Sequence, residues 1–326
     1  MKPLRGLDPN TTEAFTSQIV QAHPRFEVLF GVRDANDPAA LEVQRLRADF
    51  PQAPAELYTG APETPNGKVG LLLDLSKHAH YALRVVNDSD IQVDRSYLST
   101  VTAPLADPNV GVVTCLYRVK AHNLEASWEA LGIMTDFMPS TMVAQLIGVR
   151  EFGLGSTLAF RAADLEKAGG FQSFADYIAD DYQLAKRITA LGKRVVLSSY
   201  VVETTIGDDT WRGVWLHQLR WARTIRLSKG GGYLGLPLTQ TGIWILLALC
   251  FGPPHAVAVL TFLRILCALV AGGIVLRSPL AGCFCWLAPF WDLYSFAIWI
   301  ASYCGNTVRW RDRSLTIGPE GRILGP

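Results

Sequence analysis

The sequence predicts an α/β domain with a mostly parallel sheet, followed by helices that cross a membrane. Three observations predict it. Apolar β runs alternate with helical patterns between residues 28 and 117, the mark of strand–helix–strand units. Acids stand at the ends of two of those runs, where ligands of such sheets bind. The 326 residues are 49% hydrophobic with a mean hydropathy of +0.19, and the apolar excess gathers in residues 238–304.

The elements follow in order. Residues 1–6, Met-Lys-Pro-Leu-Arg-Gly, read as a loop with no strand or helix before it. Residues 28–32, VLFGV, form a short strand that ends towards Asp37 and Pro38, and a helical pattern covers 39–50. A second strand covers 81–86 and runs into Asn87-Asp88-Ser89-Asp90. A third covers 110–117. Gly153-Leu154-Gly155 precedes another apolar run and Gly169-Gly170-Phe171. Asp180 and Asp181 then open an amphipathic helix, where the helix dipole favours negative charge.

From Trp211, the residues Trp211, Val214, Trp215, Leu219, Ala222 and Ile225 make an apolar stripe at helical spacing. The other face carries Arg212, Arg220, Arg223 and Arg226, and residues 211–235 contain no acid. A basic helix with tryptophan on its apolar face suits a membrane surface. Apolar runs near 241–252, 255–276 and 280–304 follow. The last two are long enough to span a bilayer, and the first fits a re-entrant piece. Arg264 and Asp292 lie inside them, and intramembrane charges face a cavity or a partner. The basic segment 309–313 and the basic 211–235 region both indicate the cytoplasmic side, which requires an even number of crossings between them.

The expected organisation is a catalytic domain over 1–210, a basic interfacial helix region over 211–235, membrane helices over 236–304 and a basic tail over 305–326. The net charge of +1 gives no sign of a nucleic-acid partner. Of six cysteines, five (Cys250, Cys267, Cys283, Cys285, Cys304) lie in the apolar tail and Cys115 in a strand. They read as reduced apolar fillers, since Cys283 and Cys285 are too few for a zinc site.

An Asp-x-Asp at a strand end is a poor base and a good clamp for Mg²⁺ or Mn²⁺, which take one or two carboxylates plus substrate phosphates. The other reading of Asp88 and Asp90 is a solvated turn capped by two aspartates. Asp180-Asp181 alone reads as an N-cap and first-turn pair.

The order of these features resembles family-2-like membrane glycosyltransferases of the GT-A fold: a strand-end Asp, an Asp-x-Asp, a paired acid after Gly-Gly-Phe, and Arg-Trp before membrane helices. Residues 2–9 (KPLRGLDP), 26–34 (FEVLFGVRD) with Asp37-Pro38, and 177–182 (YIADDY) resemble the ceramide glucosyltransferase family, glycosyltransferase family 21. Residues 217–224 (HQLRWART) are most similar to its bacterial branch associated with hopanoid biosynthesis.

The resemblance implies a Rossmann-like GT-A domain and an inverting transfer of glucose or N-acetylglucosamine. The donor is a UDP-sugar, and the acceptor is a hydroxyl of a membrane lipid, ceramide or a hopanoid polyol. By position, Asp181 is the expected base beside Asp180, with Arg220 and Trp221 matching the family's Arg-Trp pair. Trp221 has two readings, stacking on a sugar or packing. Asp37, Asp88, Lys68, Arg5, His217 and Gln218 fall on the nucleotide-sugar side, with Asn66-Gly67-Lys68 resembling a donor-side loop. Asp88 and Asp90 hold Mn²⁺ or Mg²⁺. Localisation follows as an integral protein of the bacterial inner membrane with a cytoplasmic catalytic domain.

Two departures stand out. His217 occupies a position where the family has Gln or Arg, and imidazole lacks arginine's fixed fork. The family also places a membrane helix and a strand before Lys-Pro-Leu-Arg-Gly, so Met1 is expected to be an internal or misassigned start and the first strand to be missing. Three rivals remain: a processive polysaccharide synthase, a polyprenyl-phosphate transferase, and a non-catalytic membrane scaffold. Oligomeric state is not legible.

Overall fold

The computed structural model describes residues 1–207, 210–310 and 313–325. They fall into two compact units, Met1–Tyr117 with Ile147–Thr205, and Arg118–Leu146 with Ile206–Pro326.

The first unit is built on two sheets. Strand β1 (Lys2–Pro3) pairs in parallel with β2 (Val28–Val32), which pairs in parallel with β3 (Ala55–Thr59). All five β2 residues are buried, as a strand covered on both faces requires. The opening residues are therefore not wholly loop. Lys2 and Pro3 lie opposite Phe30 and Gly31, a two-residue strand too short to leave a periodic signal. The second sheet runs β4 (Leu83–Val86), β6 (Leu158–Arg161), β5 (Val110–Ala121), β7 (Arg194–Ile206). Here β6 is antiparallel to both neighbours, so the mostly parallel arrangement expected is a mixed one, with parallel pairs in the first sheet.

Helix starts in this unit are set by side-chain caps. Asp37 Oδ1 accepts from Ala39 N at 2.9 Å and begins Pro38–Asp49, with proline where no N–H is needed. Asn66 Oδ1 accepts from Lys68 N and Val69 N and begins Gly67–His78. The segment expected as a donor-side loop is thus a helix N-terminus. One apolar core gathers Leu72, Val86, Phe160, Phe174, Leu184 and Ile188. A second gathers Phe15, Phe30, Val32, Val43 and Leu46.

The second unit holds the candidate membrane helices. Pro254–Val275 and Pro279–Ser302 are long and apolar enough to cross a membrane, with mean hydropathies of 2.3 and 1.3. Gly231–Leu238 and Thr241–Phe251 form a pair bent by 46°, the shape of a broken span or of a re-entrant piece. Close packing relies on missing side chains: a Cβ on Gly132 would fall 1.9 Å from the Trp291 ring, and one on Gly242 2.2 Å from Pro289 O. Arg264 and Asp292 are partners. Nε and Nη2 of the arginine donate to the two carboxylate oxygens at 2.8 and 2.6 Å. Nη1 donates to Thr135 O, and Gly242 N donates to Asp292 Oδ2.

The helix Trp211–Ser228 starts on a Thr210 cap and buries Val214, Leu219 and Ala222. Its basic face is less available than the sequence implied: Arg223 donates to Thr307 O and Cys304 O, and Arg226 to Gly305 O. The segment read as a basic tail folds into three antiparallel strands, Thr307–Trp310, Arg313–Ile317 and Ile323–Gly325. Arg311 and Asp312 of its basic run lie outside the described residues.

Candidate active site

The first unit brings four of the expected acids around two lysines. Asp88 follows β4; its N–H donates to Gly155 O at 3.1 Å and its carbonyl accepts from Lys2 Nζ at 2.8 Å. Lys68 Nζ lies 2.7 Å from Asp88 Oδ1 and 3.0 Å from Asp180 Oδ2. Lys68 reaches this point because Asn66, fully buried, ties the start of its helix to the segment before Asp180: Asn66 N donates to Ala175 O and Nδ2 to Tyr177 O. Asp181 Oδ2 accepts from Gly155 N at 3.1 Å and Oδ1 from Tyr182 N at 2.7 Å.

Gly155 therefore joins the two halves. Its N–H holds Asp181, its carbonyl holds Asp88, and a Cβ there would fall 2.6 Å from Asp88 Oδ2. Gly153 leaves similar room, since a Cβ would fall 2.7 Å from Asp181 O. The Gly-Leu-Gly run is visible in the sequence, but nothing there says that it threads between two aspartates.

Electrostatics follow from this crowding. Burial and the adjacent Asp180 push the Asp181 carboxyl up to about 6, against the pull of Lys68. Burial and Asp88 likewise push Asp90 up to about 6, although Thr204 Oγ1 donates to its Oδ2. Burial lowers the Lys2 ammonium to about 8, the nearby aspartates resisting. Burial also works against the Lys68 charge, but Asp180, Asp88 and Asp181 win and hold it above the ordinary lysine range.

Asp37 has a different place. Besides capping its helix it accepts from Gly6 N at 2.8 Å, so the opening segment is pinned at Lys2 by Asp88 and at Gly6 by Asp37. Arg5 lies in that pinned segment and is exposed. Asp8, which the sequence reading passed over, accepts from Ser89 Oγ at 2.6 Å and so braces the Asp88-Ser89-Asp90 turn.

The remaining expected residues belong to the second unit. His217 Nδ1 lies 2.6 Å from Glu129 Oε1, and Gln218 Nε2 donates to the same oxygen at 2.7 Å. Trp221 packs edge-on to His217 and tilted against Phe137, with centroids 5.0 and 5.2 Å away. Arg220 sits on the same helix, half-buried. Glu129 carries no warning in sequence: Trp128-Glu129 reads as ordinary helix.

Among the described residues, no group of three His, Cys, Asp or Glu gathers to hold a metal unaided. The donor set nevertheless fits a hard divalent cation that takes its remaining ligands from phosphate and water. The Asp88 side chain is 44% exposed. Asp88, Asp90, Asp180 and Asp181 outnumber Lys2 and Lys68, a formal surplus of negative charge that an anionic ligand meets only with a cation beside it.

The mixed α/β domain has the GT-A fold, in a chain that also carries candidate membrane helices. A mannosyltransferase from Pyrobaculum calidifontis, solved in complex with GDP-Man and Mn²⁺, shares this fold. It aligns with a TM-score of 0.57 and 21% identity over 93% of this chain and 84% of its own. Residues 1–323 match glycosyl transferase family 21, and the chain belongs to that family. Ceramide glucosyltransferase 1 of Caenorhabditis elegans is 26% identical over 203 residues, 61% of this chain and 43% of its own length. Ceramide glucosyltransferase of Candida albicans is 32% identical over 111 residues, 30% of this chain and 20% of its own. These matches span less than half the length of either curated relative.

Proposed function

We propose that this chain transfers a hexose from a UDP-sugar to a hydroxyl of a membrane lipid, in one inverting displacement centred on Asp181. The observation that carries the reading is the joint hold of Gly155 on Asp88 and Asp181, with Lys68 between Asp88 and Asp180. Asp181 takes the proton of the attacking lipid hydroxyl. A carboxyl raised to about 6 stays ionised near neutrality yet is more basic than a solvated aspartate. Asp180 and Lys68 keep the pair in register. Asp88, with Asp90 held by Thr204 behind it, would hold Mn²⁺ or Mg²⁺ beside the donor diphosphate. A bound divalent cation would offset the charge of the departing nucleoside diphosphate. Arg220 and Trp221 lie on the helix Trp211–Ser228 of the second unit, and their roles towards the leaving group and the sugar rest on their family positions alone. Asp37 and Arg5 serve the nucleotide through the pinned opening segment.

The lipid acceptor is supported by the candidate membrane spans and by the names of the relatives, which also favour glucose and ceramide. A hopanoid polyol is the second acceptor, on the strength of the 217–224 motif. We place the catalytic domain on the cytoplasmic face of a bacterial inner membrane. The test supplies membranes bearing the chain with UDP-[14C]glucose or UDP-[14C]GlcNAc, Mn²⁺ or Mg²⁺, and ceramide or bacteriohopanetetrol. Label that enters the organic phase and disappears with a chelator is expected, and the productive pair names donor and acceptor. No metal-dependent lipid label from any pair would overturn the reading.

A further inference from the structure

The second unit contains a buried polar cluster that the acid site does not use. Glu129 is fully buried, and its Oε1 takes both His217 Nδ1 and Gln218 Nε2. A carboxylate only accepts, so His217 Nδ1 carries the hydrogen of this contact. The other carboxylate oxygen, Glu129 Oε2, is buried with no hydrogen-bond partner, and so is the hydroxyl of Tyr294. Buried polar atoms are paired in native proteins, and each exception needs a reason. Here an orphaned acceptor and an orphaned hydroxyl belong to one cluster.

The cluster also packs against a candidate membrane span. Trp128, adjacent to Glu129, packs on Trp291 and Tyr294 of the candidate span Pro279–Ser302 at 5.3 and 5.9 Å, and Trp215 packs on Tyr294 at 5.7 Å. We infer that Glu129, His217 and Tyr294 form the binding site for the hydroxyl groups of a neutral lipid acceptor. A hydroxyl that donates to Glu129 Oε2 and accepts from Tyr294 completes both partners left open. A phosphate offers only acceptors and meets the buried Glu129 charge, which repels it. This moves His217 from the donor diphosphate, where its family position put it, to the acceptor. The inference rests on the lipid-transfer reading and makes Glu129 and Tyr294 specificity residues for it.

The full chain in nanodiscs tests it. Binding of a short-chain ceramide, of bacteriohopanetetrol and of decyl phosphate is followed by tryptophan fluorescence without UDP-sugar, so the result does not depend on transfer. Steady-state transfer is measured in parallel. Tyr294→Phe keeps the ring packing and loses only the hydroxyl; Glu129→Gln keeps an acceptor for His217. Each is expected to weaken binding of the hydroxyl lipid, and raise its KM, by about 3- to 10-fold, the scale of one net hydrogen bond. KM for the UDP-sugar should stay within about twofold, and decyl phosphate should not compete. The inference fails if the variants change KM for the UDP-sugar instead, if decyl phosphate competes, or if folded variants bind both hydroxyl lipids as the unaltered chain does. Hydroxyl-lipid binding with the expected losses but no transfer by the unaltered chain would leave this site standing and overturn the catalytic reading.

Discussion

Both units bury carboxylates beside cations, and they do so in opposite ways. In the second unit Asp292 meets Arg264 in a two-pronged pair, and Thr135 O and Gly242 N take up remaining valences. In the first, Lys68 divides itself between Asp88 and Asp180, while Asp181 and Asp90 sit in surplus negative charge with raised proton affinity. A buried charge whose partners are complete fixes helices against each other. A buried charge left with excess of its own sign is set for a ligand and a proton.

That contrast can be broken by mutation. Arg264→Met leaves Asp292 buried without its cation and should lower stability by about 3–5 kcal/mol, whereas adding Asp292→Leu should restore most of the loss. Denaturation in detergent micelles measures both. Gly155→Ala puts a Cβ 2.6 Å from Asp88 Oδ2 and forces the turn to shift. A cost of about 1–3 kcal/mol with a loss of metal-dependent transfer is expected, and the same substitution at Gly231, which meets nothing within 4 Å, should change neither.

The smallest effect sharpens the electrostatics. Asp181 is raised from 3.8 to about 6, so the folded protein favours its protonated form. Its contribution to stability is fully present below about 3.8 and is lost as pH rises through about 6. Transfer has the reverse sign: the ionised base disappears below pH 6, about tenfold for each unit. A pH–rate profile and a pH–stability profile should therefore run in opposite directions across the same window.

Much of this was legible in the sequence for one reason. Charge at the end of an apolar run is costly, so Asp88, Asp90, Asp180 and Asp181 stood out against their strands and helices. The long apolar runs of the tail were legible in the same way. What was not legible depends on distant pairing. Lys2–Pro3 is too short for a period, and Pro3 argues against a strand. Glu129 meets His217 across 88 residues of chain, and in its own helix it resembles any solvated acid. The presence of Arg264 and Asp292 implied partners, but only the packing makes them each other's.

The most direct measurement is transfer of labelled hexose to lipid by Asp181→Asn beside the Arg264→Met/Asp292→Leu pair, with folding of each checked in micelles. The account predicts that Asp181→Asn stays folded and loses about 10²–10⁴-fold in kcat, while the double variant retains transfer. Transfer by Asp181→Asn at the unaltered rate, from a folded protein, would contradict it.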